Sequence, residues 1–315
     1  VQATKRLIRS ALPITFAVAI AVPLIASCSS PAPAASDAAA TSSRGPDAAA
    51  RHAITVEAGQ GGLDVTGADA LTAGPATFQV STPDERSRWV GLVDLSPEVD
   101  LATFLAEMGK VFVEDPEVSV PAGQKVTNMA TLRGGVSVNK TTPLGFSVHL
   151  AQGTYHLVDY STLGEPDALD RVRTIEVGRA EGAPTGAPRV DGVVAQFGQG
   201  AEQRFLAPDT VAPDAQLLVS NATGQNNEAI IAPVKPGVTD EQVQAFFDSF
   251  GGGQPAESPF ASEETYGLLP LGPGQSAVLR LNLQPGRYVL MSWVGEYETG
   301  KSNVQNGMHH VFTVA

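Results

Sequence analysis

Phe146-Ser-Val-His-Leu-Ala-Gln-Gly-Thr-Tyr-His-Leu-Val158 and Val278-Leu-Arg-Leu-Asn-Leu-Gln-Pro-Gly-Arg-Tyr-Val-Leu290 are the two stretches on which the fold turns. In each, apolar and polar residues alternate on both sides of a glycine, Gly153 or Gly286, and a tyrosine, Tyr155 or Tyr288, follows two residues later. Period-two alternation marks half-buried strands and the glycine marks a turn with a permissive φ, so each stretch is expected to be a β-hairpin.

Outward from these stretches, the same order of features occurs twice, over about 73–177 and 211–314. Each copy opens on an alternating strand, Ala76-Thr-Phe-Gln-Val80 or Ala215-Gln-Leu-Leu-Val219. A polar turn leads to Trp89-Val-Gly-Leu-Val-Asp-Leu95 or Glu228-Ala-Ile-Ile-Ala-Pro-Val234, which end in Ser96-Pro-Glu-Val99 or Lys235-Pro-Gly-Val238. A short helix follows, with Leu101, Phe104, Leu105 and Met108 on one apolar face, or Val243, Phe246, Phe247 and Phe250. Asp100, and Thr239 or Asp240, suit the N-caps. The hairpin and a last strand, Arg173–Val177 or Val311–Val314, close each copy. Strands with one helix per copy and no βαβ alternation predict an all-β chain of two antiparallel sandwiches.

Composition agrees with this. The 315 residues suffice for about two domains, and 32 Gly and 23 Pro with 17% charged residues argue against long helices. A net charge of −13 makes nucleic acid a poor partner. One Cys excludes intrachain disulfides and multi-Cys metal clusters, and five His leave few ways to build a catalytic metal centre.

That Cys lies near the start of the chain. Lys5, Arg6 and Arg9 precede an apolar run from Ala11 to Ile25, the pattern of an export signal, and Ile25-Ala26-Ser27-Cys28 reads as a bacterial lipobox. Residues 1–27 are expected to be a signal peptide, and Cys28 the site of diacylglycerol attachment on the extracytoplasmic face of the cell membrane. A diacyl group gives lasting attachment where a single chain does not. Residues 28–58 would be the lipidated Cys and a disordered linker, 59–178 the first domain, 179–189 a linker and 190–315 the second domain.

In the second copy, Leu283-Gln-Pro-Gly-Arg-Tyr-Val-Leu-Met-Ser292, then Gly300-Lys-Ser-Asn303, Gly307-Met308 and the closing Val311-Phe-Thr-Val314 strand resemble the C-terminal half of exported bacterial cupredoxin-like domains. The resemblance covers about 190–315 and, more faintly, 60–178. It implies two Greek-key sandwiches. In copper-binding members the region carries a Cys four residues after the Tyr, a His in the next loop and a Met before the last strand. The corresponding residues here are Ser292, Asn303 and Met308, and the upstream His falls near Asn227. In the first copy the places are taken by Arg88, Asp159 and Arg171, a possible charge cluster.

Blue copper needs two imidazoles and a thiolate, and only the thioether remains, so no cofactor is expected. Two weaker metal options exist. His149 and His156 are equidistant from the centre of the Ala151-Gln-Gly-Thr154 turn and are expected as cross-strand neighbours, and Met308, His309 and His310 offer soft and borderline donors for copper. No Gly-x-Ser-x-Gly, His-Glu-x-x-His, phosphate loop or dinucleotide fingerprint is present, so an enzyme is not expected. The expected role is a membrane-anchored, non-catalytic binding or scaffolding module for an envelope protein or small ligand, the alternative being copper handling or electron transfer.

Overall fold

The structure, a computed structural model, describes residues 52–180, 188–251 and 256–315. Cys28, the signal peptide and most of the expected tether lie outside the described residues. The first half contains β1 (His52–Gly59), β2 (Gly62–Thr66), β3 (Leu71–Thr72), β4 (Gly74–Ser81), β5 (Arg88–Leu95), α1 (Leu101–Val111), α2 (Pro116–Met129), β6 (Ala130–Val138), β7 (Leu144–Leu150), β8 (Gly153–Asp159) and β9 (Arg173–Gly178). The second contains β10 (Gly192–Phe197), β11 (Arg204–Leu206), β12 (Thr210–Val211), β13 (Gln216–Asn221), β14 (Asn227–Pro233), α3 (Asp240–Asp248), β15 (Tyr266–Leu271), β16 (Ser276–Arg280), β17 (Gly286–Met291) and β18 (His309–Val314).

These strands form two sheets, one ordered β11-β10-β13-β16-β7-β4-β1-β2 and the other β12-β18-β17-β14-β15-β6-β5-β8-β9-β3. The all-β sandwich class is thus present. Each order reads the same from both ends when every strand is exchanged for its counterpart in the other half, which places an approximate two-fold between β16 and β7 and between β15 and β6. There the halves pair directly, Leu279 opposite Phe146 and Leu268 opposite Val136. Joining the sheets this way satisfies backbone groups that separate sandwiches would leave as open edges. One core runs through both halves and includes Phe78, Phe146, Val219, Leu268 and Leu290.

Four details depart from the sequence reading. The pairs β1–β4, β10–β13, β12–β18 and β3–β9 are parallel, whereas the terminal pairs β1–β2 and β10–β11 and the pairs towards the middle are antiparallel, so the sheets are mixed and not wholly antiparallel. Residues 52–58, expected in the linker, belong to β1, whose Ile54, Val56 and Ala58 are fully buried. α2 was not anticipated. Asp115 caps it by accepting the Glu117 N–H at 2.9 Å, Pro116 starts it, and Gly123 admits the Tyr297 ring, which would stand 2.9 Å from a Cβ there. α3 stops at Asp248 behind a Thr239–Gln242 capping box, which leaves Phe250 in the following turn and 53% exposed.

The two defining stretches are arches between sheets rather than hairpins. β7 and β16 lie in the eight-stranded sheet while β8 and β17 lie in the ten-stranded one. Nor do the glycines serve through φ. Gly153 has a nearly extended φ of 159°, and Gly286 is not among the positive-φ residues. The recurring device is the tyrosine. Tyr155 Oη donates to Ala151 O at 3.2 Å and accepts from its N–H at 3.1 Å, and Tyr288 Oη donates to Gln284 O at 2.9 Å, each pinning the arch four residues upstream. Tyr155→Phe should therefore lose about 1 kcal/mol of stability in urea denaturation. Gly286→Ala, whose new Cβ would meet Tyr288 at an ordinary 3.5 Å, should be close to neutral.

Candidate functional site

Strand alternation assigns the residues of β14 and β17 to two faces. Asn227, Ala229 and Ile231 point into the sandwich with Tyr288, Leu290 and Ser292, while Glu228 and Ile230 lie on the outer face with Met291 and Trp293. The inner set meets the loop before β18. Asn227, Ser292, Asn303 and Met308 are all fully buried. Ser292 Oγ and Asn303 Nδ2 each donate to Asn227 Oδ1 at 2.9 Å. Asn227 Nδ2 in turn donates to Gln203 Oε1 and, at 2.9 Å, to Thr223 Oγ1. The main chain tightens the same knot, since Met308 N–H donates to Asn303 O at 2.8 Å and Val304 N–H to Ser292 O at 2.7 Å. Four segments are thus tied at one end of the second half.

The knot does not suit type-1 copper. Its donors are two carboxamides and a hydroxyl, already engaged with one another, and only the Met308 thioether is soft. Among the described residues no group of three or more His, Cys, Asp or Glu gathers in metal-holding geometry.

In the first half, Arg88 and Asp159 come together, Nη1 to Oδ2 at 3.2 Å, with Arg88 9% and Asp159 3% exposed. Arg88 also pairs with Asp84. Asp159 Oδ1 accepts from the N–H of Ser161 at 3.0 Å and its hydroxyl at 2.6 Å, so the carboxylate is held from several sides. Arg171 borders the same cleft of about 620 Å³, but its ion pairs are with Glu165 and Asp167, both at 2.9 Å.

The remaining metal options separate. His149 is exposed on β7 and His156 half-buried on β8, and those strands belong to different sheets, so the arch prevents the expected cross-strand pair. His156 Nδ1 lies 3.2 Å from Thr174 Oγ1, and burial pushes its pKa down. Met308 joins the core, whereas both ring nitrogens of His309 engage α3, Nδ1 with Asp240 Oδ1 at 2.9 Å and Nε2 with Gln244 Oε1 at 3.0 Å. His310 Nε2 lies 3.4 Å from Asp209 Oδ1. The three neighbours therefore do not share a site.

A second feature escaped the sequence reading. On the outer face of the ten-stranded sheet, where the halves meet, a cavity of about 380 Å³ is lined by Trp89, Met108, Phe112, Tyr160, Ile230, Leu269 and Trp293, with Glu228 at its wall. Glu228 Oε1 accepts the Trp293 N–H at 2.8 Å. Burial pushes the Glu228 carboxyl up to about 7, against the smaller opposing effect of that N–H. The hint in the sequence is an acid immediately before the apolar run Ala229–Val234.

No family model and no curated protein matches the chain. Solved structures similar to it include copper proteins. Reduced auracyanin from the photosynthetic bacterium Roseiflexus castenholzii is 20% identical over 39% of this chain and 94% of its own, with a TM-score of 0.23. Auracyanin A, a blue copper protein from Chloroflexus aurantiacus, is 15% identical over 40% and 99%, with a TM-score of 0.26. A multicopper oxidase is 12% identical over 84% and 88%, with a TM-score of 0.21. At these TM-scores the likenesses bear no further weight.

Proposed function

We propose that the chain is an exported, lipid-anchored, non-catalytic binding module of the cell envelope, built on a pair of cupredoxin-like sandwiches in which the metal position serves as a structural fastening. The observation that carries this reading is the buried Asn227–Ser292–Asn303 knot beside Met308. It occupies the positions that the resemblance assigns to ligands, and Asn227 Oδ1 accepts from both Ser292 Oγ and Asn303 Nδ2 in place of a metal, with Asn303 Oδ1 left without a hydrogen-bond partner. The acidic surface disfavours nucleic acid, and the partner is an envelope protein or a small ligand.

If those positions are former ligand positions, restoring the donors should restore the site. The triple change Asn227→His, Ser292→Cys, Asn303→His is expected to gain stoichiometric copper with intense visible absorption. A folded triple variant that takes up no copper would refute the assignment. Anchoring rests on Cys28. Cys28→Ser should shed the protein from the membrane fraction or block processing, and retention with no lipid on the mature N-terminus by mass spectrometry would refute the tether.

A further inference from the structure

We propose that the cavity at the junction of the two halves binds a small organic cation, an ammonium group on an apolar body, with Glu228 as its counter-charge. The inference rests on the reading of the chain as a binding module and names the chemistry of what it binds.

The walls come from both halves. Trp89, Phe112 and Tyr160 belong to the first and Trp293 to the second. Trp89 and Phe112 stack with centroids 5.9 Å apart, and Phe112 and Tyr160 stand 6.4 Å apart. The Tyr160 ring is fixed against β5, because a Cβ at Gly91 would stand 2.4 Å from its Cζ. At the mouth, Phe112 is 49% and Trp293 43% exposed, large apolar surface that folding leaves in water. Trp293 is held edge-on by Phe247 at 5.3 Å, so this ring too is positioned before any ligand arrives.

Within this apolar enclosure stands one carboxylate. Its neighbours on β5, α1, β6, β15 and the loop after β17 supply no Lys, Arg or His to the lining, and among the described residues no ion pair involves Glu228. The one bond it accepts, from the Trp293 N–H, is neutral. A half-buried acid is ordinarily paired, since an uncompensated charge out of water is costly. Tyr160 adds a second unspent group, a buried hydroxyl with no hydrogen-bond partner. Aromatic rings lining the same cavity as a half-buried carboxylate complement a cation twice, through the ring quadrupoles and through the charge. About 380 Å³ accommodates a molecule of roughly aromatic-amine size.

Trp89 and Trp293 are the chain's two tryptophans, so intrinsic fluorescence reports this cavity directly. The full chain in dodecyl maltoside should be titrated with benzyltrimethylammonium and with its uncharged isostere neopentylbenzene. A saturable fluorescence change is expected for the cation, weakened about tenfold or more in Glu228→Gln, with the isostere's binding unaltered by that substitution. Phe112→Ala, at the exposed mouth, provides a second variant and should also weaken the cation. Equal response to both probes, or an unchanged cation affinity in Glu228→Gln, would overturn the proposal, as would no response to the cation. These outcomes are separable from the copper result. Type-1 copper in the unmodified chain would remove the functional reading and leave the titration standing, whereas silence toward the cation would remove only this inference.

Discussion

Replacing Asn227 with Leu is expected to cost about 5 kcal/mol of folding stability, a large share of what a typical protein of this kind possesses. Leucine fills a similar volume but can neither accept nor donate. Three groups would lose bonds they make with Asn227: the Ser292 hydroxyl, the Asn303 amide N–H and Gln203 Oε1. All are at most 2% exposed, so water cannot replace Asn227 without opening the end of the sandwich. Each buried unsatisfied group costs roughly 1–3 kcal/mol. Thr223 is less affected because its hydroxyl also bonds Asn221 Oδ1 at 2.7 Å. Ser292→Ala removes a single bond at the edge of the same network and should cost about 1 kcal/mol. Guanidinium denaturation of the two variants checks the ranking, and a loss below about 1 kcal/mol for Asn227→Leu would mean that the knot is not a fastening.

Glu228→Gln should act in the opposite direction. The carboxyl is pushed up to about 7, above its unfolded value near 4.5, because burial disfavours its charge. Between those values the folded protein binds a proton that the unfolded chain has lost, so stability falls as pH rises from about 4.5 to about 7 and levels off above. The full interval corresponds to roughly 3 kcal/mol, an upper figure for a side chain that retains some contact with water. Glutamine keeps an acceptor for the Trp293 N–H but carries no charge. The variant should match the wild type within about 1 kcal/mol at pH 5 and exceed it by up to about 3 kcal/mol at pH 8. Denaturation curves at the two pH values measure this difference, and a variant less stable at pH 8 would show that the charge is compensated. A residue that lowers stability at working pH is the kind found at binding sites.

The contrast between the knot and the cavity shows which physical information a single chain carries. Counting alternate residues from Tyr288 is enough to place Ser292 inside the sandwich, because a strand's period is two and its handedness of facing does not depend on partners. The same counting cannot tell a hairpin from an arch. Whether β8 returns beside β7 or crosses to the other sheet is decided by nonlocal pairing with β5 and β9, and His149 and His156 part company for that reason. β1 was legible in principle, since Ile54, Val56 and Ala58 alternate with Ala53, Thr55 and Glu57, but only Arg51 and His52 separate this alternation from the small residues of the preceding tether. α2 hides behind Pro121 and Gly123, residues that local propensity assigns to loops and that tertiary packing against Tyr297 tolerates. The cavity was least legible of all. Its walls come from β5, the end of α1, the turn after β8, β14, β15 and the segment after β17, and only the pairing of the two halves brings them to one place.

On the proposed reading, the positions of Asn227, Ser292 and Asn303 hold the fold together and do not hold copper. The direct measurement is a titration of the unmodified full chain with Cu(II), followed by visible absorption and by metal analysis after gel filtration. The expected result is no intense blue absorption and no retained stoichiometric copper, because carboxamides and a hydroxyl bonded to one another present neither thiolate nor imidazole. One equivalent of tightly held copper with type-1 absorption would contradict it.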